Sequence, residues 1–169
     1  MKKVAHFVEK FPNPGNEYIY NQFLDNEKIK SILIAEWLAK SRDHARINLF
    51  YHKKCSQFSF LNRLNNKLNG GIFNKLYIKK LNSYAQRILE DNQISIIHAH
   101  FGMAGYKLID LKKNLNIPFV VTFYGVDASY CLRQKSWLDR YRRLFEEADI
   151  LIVLCEEVRN RFLNLGCPE

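Results

Sequence analysis

An open, doubly wound α/β sheet, mostly parallel and Rossmann-like, is the fold class predicted for this 169-residue chain. Three observations predict it. Short apolar, β-branched runs alternate with stretches of helical periodicity. Polar and glycine residues gather just after the apolar runs, where open parallel sheets bind their ligands. The composition is that of an ordinary globular domain, 47% hydrophobic and 25% charged, which excludes a disordered chain, a collagen-like fibre and a disulfide miniprotein.

The elements follow in order. Residues 4–8 (Val-Ala-His-Phe-Val) predict a strand, and the Pro/Gly/Asn run 11–16 a loop. Residues 18–40 read as helix: Ile29, Leu33, Ile34, Trp37 and Leu38 recur at helical spacing, after an earlier pair of Ile19 and Phe23. Residues 47–51 read as strand. Two amphipathic helices then flank Gly70 and Gly71, the first carrying Phe60, Leu61, Leu64 and Leu68, the second Phe73, Leu76, Tyr77, Leu81 and Tyr84. Strand 94–99, helix 102–114, strand 118–124, a loop through Gly125, Val126 and Asp127, helix 136–147, strand 149–154 and helix 156–165 complete the alternation.

The net charge of +9 comes from one segment. Between His44 and Leu89 there are nine Lys and Arg and no Asp or Glu, which leaves 17 of each sign elsewhere. An anionic partner suits that window: a phospholipid surface, a phosphate-bearing acceptor or, less well, nucleic acid, for which no motif is present. Lys67, Lys75, Lys79 and Lys80 are the expected contacts; the plain alternative is a pair of solvated surface helices. The longest apolar run, 150–155, is too short to span a membrane. Glu9 and Lys10 interrupt the first apolar stretch before it reaches signal-peptide length, so the expected location is cytoplasmic. Cys55, Cys131, Cys155 and Cys167 lack metal-ligand spacing and read as reduced structural thiols.

The strand ends supply the candidate site. Gly15 lets backbone approach a ligand, with Asn16 and Glu17 opening the next helix, although neither a dinucleotide nor a P-loop pattern is present. His98 and His100 share a strand face; without a third ligand at useful spacing they do not predict a metal, and His100, nearer the strand end, is the better ligand contact. Gly102 fits a tight turn. Tyr124 beside Gly125 is expected to expose a phenol, and Asp127 to orient a hydroxyl; otherwise Tyr124 caps the core and Asp127 caps a short helix. Glu156 follows the last strand. No Ser-His-Asp order, GxSxG elbow or nucleophilic cysteine context appears.

Several of these stretches, taken together, resemble the acceptor-side domain of glycosyltransferase family 4. They are Ile97-His98-Ala99-His100-Phe101-Gly102, Ile117 through Ser129 with Thr122-Phe123-Tyr124-Gly125-Val126-Asp127, and Tyr141 through Asp149. The Arg161-to-Pro168 stretch and Phe11-Pro12 through Asn21-Gln22 belong to the same likeness, which covers the first 25 residues and most of 92–168. The resemblance implies one half of a GT-B architecture: 1–169 as an amino-terminal Rossmann-like domain, with a basic helical insertion at about 52–90. It implies a retaining transferase that moves a sugar from a nucleotide-sugar to a lipid-linked or saccharide acceptor, often in bacterial surface polysaccharide synthesis at the inner membrane face. It implies no cofactor and no metal. On this reading Tyr124 and Asp127 are catalytic, while Gly15, Asn16, Glu17, His100, Gly102, Gly125 and Glu156 bind acceptor or donor. Many members have His where this chain has Tyr124, and a phenol, which ionises near pH 10, is a poor base at neutral pH. Asn16 replaces a Ser of the first motif. The family's Glu-x7-Glu motif and second, nucleotide-gripping domain are absent from the sequence, so the chain is expected to be a fragment, silent alone. A non-catalytic α/β binding module and a peripheral membrane or anion-binding module are the alternatives.

Overall fold

A computed structural model describes residues 2–13, 15–24, 29–38, 48–51 and 71–169. The expected helix carrying Phe60 to Leu68, and Lys67, Cys55 and Gly70, lie outside the described residues. The chain divides into two compact units, Met1–Ser95 and Ile96–Glu169.

The first unit holds β1 (Lys2–Phe11), α1 (Glu17–Leu24), β2 (Ile29–Leu38), β3 (Leu49–Tyr51) and α2 (Gly71–Asp91). All its strands are parallel, in the order β3-β2-β1, with Ala5 opposite Ile32, Phe7 opposite Ile34 and Leu33 opposite Leu49. Val4 to Val8 and Ile32 to Glu36 are buried without a break, as strands covered on both faces require.

The helix expected over 18–40 is corrected here: helix stops at Leu24, and 29–38 is strand. The spacing of Ile29, Leu33, Ile34 and Trp37 is compatible with both periods. The continuous run Ile32-Leu33-Ile34-Ala35, fully enclosed, suits a strand buried on both faces, and periodicity alone cannot separate the two for so short a run.

Helix α2 turns Tyr77, Leu81, Ala85, Ile88 and Leu89 inward and leaves Lys75, Lys79, Lys80 and Arg87 exposed. Tyr77 donates a short hydrogen bond to the buried Glu36 carboxylate, and Tyr84 donates to the Tyr51 carbonyl at 2.9 Å. The apolar face of α2 is therefore used by the protein itself, and the cations face outward.

The second unit holds β4 (Ile96–His100), α3 (Gly102–Lys107), α4 (Ile109–Leu115), β5 (Phe119–Thr122), α5 (Val126–Ser129), α6 (Lys135–Glu147), β6 (Ile150–Ile152) and α7 (Glu156–Asn164), with a 3-10 turn at Cys131–Arg133. Its strands are again parallel, in the order β4-β5-β6, with His98 opposite Val120 and Val120 opposite Ile150. The single helix expected over 102–114 is two. The Leu108 N–H bonds to the Gly105 carbonyl, a tightened turn that breaks the helix while Leu108 and Ile109 stay buried. Of the loop expected at 125–127, Val126 and Asp127 belong to α5, and Gly125 immediately precedes it.

Phe119, Phe123, Tyr141 and Phe162 form the centre of this unit. Phe123 meets Phe162 and Tyr141 edge-on, with centroids 4.6 and 5.2 Å apart. Among the described residues, no helix is long and apolar enough to cross a membrane.

Candidate functional site

In the first unit the loop after β1 is braced locally. The Asn16 N–H reaches the Asn13 carbonyl at 3.0 Å, the Ile19 N–H the Asn16 carbonyl at 3.0 Å, and the Phe11 and Tyr20 rings meet edge-on at 4.7 Å. Gly15 has φ +87°, a conformation an L side chain rarely adopts, and open space lies where a Cβ would stand. Glu17 is exposed in the first turn of α1.

In the second unit the structure brings His100, Gly102, Tyr124 and Asp127 into one cluster at the ends of β4 and β5. Phe101, directly after β4, has φ +76°, a strained conformation for a residue with a side chain. Its backbone is held on both sides, its N–H on the Thr122 carbonyl at 2.9 Å and its carbonyl on the Gly105 N–H at 3.0 Å. The turn throws the Phe101 ring against Tyr124, 4.7 Å between centroids. Gly102 is obligatory for a packing reason. A Cβ there would lie 2.2 Å from Cε1 of the buried Phe123 ring.

Asp127 ties the two strand ends together. Its Oδ2 accepts the Gly102 N–H at 2.8 Å; its Oδ1 accepts the Tyr124 N–H at 2.8 Å and the Ala128 N–H at 3.1 Å. Tyr141 donates to the Asp127 carbonyl at 3.1 Å. Burial pushes the Asp127 carboxyl above its ordinary range, while the backbone N–H groups pull it down. Both oxygens are thus engaged with backbone, where the sequence reading had the carboxylate orienting a hydroxyl.

Tyr124 is also placed differently from expectation. Its ring is buried, 5% exposed, and its hydroxyl lies 2.7 Å from Nδ1 of the fully enclosed His100. The exposed phenol expected at this strand end is corrected: bulk and aromatic neighbours draw Tyr124 inward, and Gly125 and Val126 are left at the surface. His98 stacks on His100 at 4.3 Å, and its Nε2 lies 2.8 Å from Thr122 Oγ1. Burial lowers the His98 pKa to about 4, so the ring is neutral at pH 7.

Glu156 does not join this cluster. It opens α7, exposed, in a salt bridge with Arg159 at 3.2 Å. A largely apolar cavity of about 310 Å³, lined by Phe145, Ile150, Leu151, Arg159 and Phe162 among others, contains none of the expected site residues. Cys131 is buried and Cys155 exposed. Sequence reasoning missed Phe101, Thr122 and Tyr141. Thr122 is brought to the site by the strand register, opposite His100, which the sequence alone does not display.

Comparison with known proteins fits this geometry. The sequence profile of Glycosyltransferase Family 4 matches residues 31–169, running through the basic window. No curated protein matches the chain. Solved structures are similar throughout. The sucrose-phosphate synthase of Thermosynechococcus elongatus has TM-score 0.63 at 10% identity, over 99% of this chain and 45% of that one. The S. aureus MnaA–UDP co-structure has TM-score 0.61 at 11% identity, over 98% and 41%. The UDP-N-acetylglucosamine 2-epimerase of Rickettsia bellii has TM-score 0.61 at 13% identity, over 99% and 43%. The fold is therefore the Rossmann-like α/β fold of one half of a GT-B architecture. The chain spans less than half the length of these solved chains.

Proposed function

The chain belongs to glycosyltransferase family 4, and on that premise we propose that it is the acceptor-binding half of a retaining enzyme. The enzyme transfers a sugar from a nucleotide-sugar to a lipid-linked or saccharide acceptor, in bacterial surface polysaccharide synthesis. The observation that carries the reading is the coincidence of the family match with the cluster at the ends of β4 and β5. In open α/β folds that end of the strands is where ligands bind.

The donor is a nucleoside-diphosphate sugar, gripped by a second domain, and the UDP in the S. aureus MnaA structure supports that class of ligand for the fold. In this proposal helix dipoles and cationic groups of the second domain neutralise the leaving diphosphate, with no metal or other cofactor. Tyr124 contributes as a hydrogen-bonding group backed by His100 rather than as a base. Gly15, Asn16 and Glu17 are the proposed binding residues of the first unit, and Gly102, Gly125 and Glu156 those of the second, with Asp127 acting on the reaction through the backbone it holds. The exposed Lys75, Lys79 and Lys80, and Lys67 by its sequence neighbourhood, support a peripheral position on the anionic cytoplasmic face of the membrane in this proposal.

The test is donor and acceptor profiling of the product of the complete gene. Acceptor-dependent release of a nucleoside diphosphate from one nucleotide-sugar is expected. Binding without release would instead make the protein a non-catalytic module, and conversion of the donor to its epimer would make it an isomerase.

A further inference from the structure

The net charge directs attention to the basic window, yet the best-organised cations of the described residues lie outside it, on α6. Arg140 stacks on two rings at once, its Cζ 4.6 Å from the centroid of Trp137 and 5.5 Å from that of Tyr106. Arg143 stacks on the same Tyr106 at 5.9 Å. Tyr106 and Trp137 meet edge-on at 6.3 Å, and Trp137 continues to the fully buried Tyr141 at 5.5 Å. Two guanidinium groups are therefore fastened to one aromatic platform that is itself rooted in the core of the unit.

Neither arginine has a carboxylate partner among the described residues. The acidic residues at helical spacing from Arg143 are occupied elsewhere: Asp139 pairs with Arg142 at 3.1 Å, and Glu147 with Lys113 at 2.6 Å. Glu146, three residues on, is exposed and makes no ion pair with it. Arg140 has no carboxylate at three or four residues in either direction, and its neighbour at that spacing is Arg143, a like charge. Two cations sharing one ring without a counter-ion leave an electrostatic deficit that a dianion bridging them removes.

Stacking also changes the cost of binding. An arginine side chain normally loses much of its rotamer entropy when it is fixed. Here the ring contacts hold both side chains before any ligand arrives, and the planar fork with its free N–H donors matches phosphate geometry. Lysine, a flexible point charge, does not reproduce this.

We propose that Arg140 and Arg143, on the Tyr106–Trp137 platform, form a binding site for a phosphate group, separate from the strand-end cluster. The phosphate belongs either to a free phosphoester or diphosphate, or to a lipid headgroup. The site does not depend on the transferase reading, and its test does not use activity.

The test is a titration of the 169-residue chain with pyrophosphate, followed by amide and Arg side-chain NMR shifts, against sodium chloride at matched ionic strength. In parallel, flotation is measured with phosphatidylcholine vesicles with and without phosphatidylglycerol. Saturable shifts at Arg140, Arg143 and Tyr106 with pyrophosphate assign a free phosphate ligand. Flotation only with the anionic vesicles, without pyrophosphate shifts and weakened by R140K and R143K, assigns the headgroup; flotation that these variants leave unchanged belongs to other cations and overturns the headgroup assignment. In either case R140K and R143K are expected to weaken binding roughly ten- to hundredfold, since charge is kept and the stacked fork is lost. R142Q, whose arginine is tied to Asp139, is expected to leave binding unchanged. All these positions are on the outward side of α6, and an unaltered thermal melt certifies the variants. The proposal is overturned if neither probe binds, if chloride reproduces the shifts, or if R142Q weakens binding as much as R140K does.

Discussion

Asp127 Oδ2 accepts the Gly102 N–H at 2.8 Å across 25 residues of sequence, and its other oxygen accepts the Tyr124 N–H at the same distance. One buried carboxylate therefore joins Gly102, the first residue of α3, to Tyr124 in the turn after β5. The strained Phe101 lies immediately before the first of these anchor points and is held in place by them.

Asp127→Asn is expected to be costly despite its matching shape. An amide offers one acceptor oxygen. With that oxygen kept on Tyr124 and Ala128, the new NH2 faces the Gly102 N–H, donor against donor. A loss of about 1–3 kcal/mol is expected in urea denaturation, from one buried N–H left unsatisfied. Amide exchange at Gly102 should rise before that at Tyr124. Unchanged exchange at Gly102 would contradict the tether.

Gly102 and Gly125 are expected to behave oppositely. Gly102→Ala drives a methyl into the Phe123 ring and should cost about 1–3 kcal/mol or more. Gly125 is open to solvent with φ −85° and ψ −59°, so Gly125→Ala should leave the melting temperature nearly unchanged. Equal melting shifts would mean that Gly102 is not packed as described.

His98 gives the chain an acid limit. Unfolded, its imidazole titrates near 6.5; folded, burial holds it at about 4. Between these values the unfolded chain binds a proton that the native ring refuses. Stability from this group is therefore complete above pH 6.5 and falls away as the pH drops toward 4, by about 2–3 kcal/mol. Urea midpoints across that window, with the His98 Cε1 proton followed by NMR, check this. A native His98 titrating near 6.5 would contradict it.

The outward lysines of α2 give a separate expectation. Replacing Lys75, Lys79 and Lys80 together by Glu should abolish co-flotation with anionic vesicles, each cation contributing about 1 kcal/mol near such a surface. Their exposure means the fold should survive, with an unchanged melt. Undiminished flotation would remove the basic window as the membrane contact.

Most of the fold was legible from alternation alone: strands were expected around 4–8, 94–99, 118–124 and 149–154, and each exists. The failure at 29–38 has a physical cause. Ile32 to Ala35 is buried on all sides, so it displays neither a clean two-residue nor a clean 3.6-residue period. At the site, the residue types and their gathering at strand ends could be read, because Gly102, Tyr124 and Asp127 fall at the tips of apolar runs. Their orientation could not. Whether Tyr124 faces solvent or His100 depends on ring packing with Phe101, and whether Asp127 serves a ligand or the backbone depends on a partner 25 residues away. The Arg140–Tyr106 stacking was invisible for the same reason, being formed between two helices.

The most direct measurement of the central claim is the intact mass of the acceptor after incubation with the complete protein and its nucleotide-sugar. The account expects a gain of one sugar residue, and a much smaller yield from Tyr124→Phe at unchanged stability of the nucleotide-sugar complex. An acceptor of unchanged mass, with any nucleotide-sugar in the panel, would contradict it.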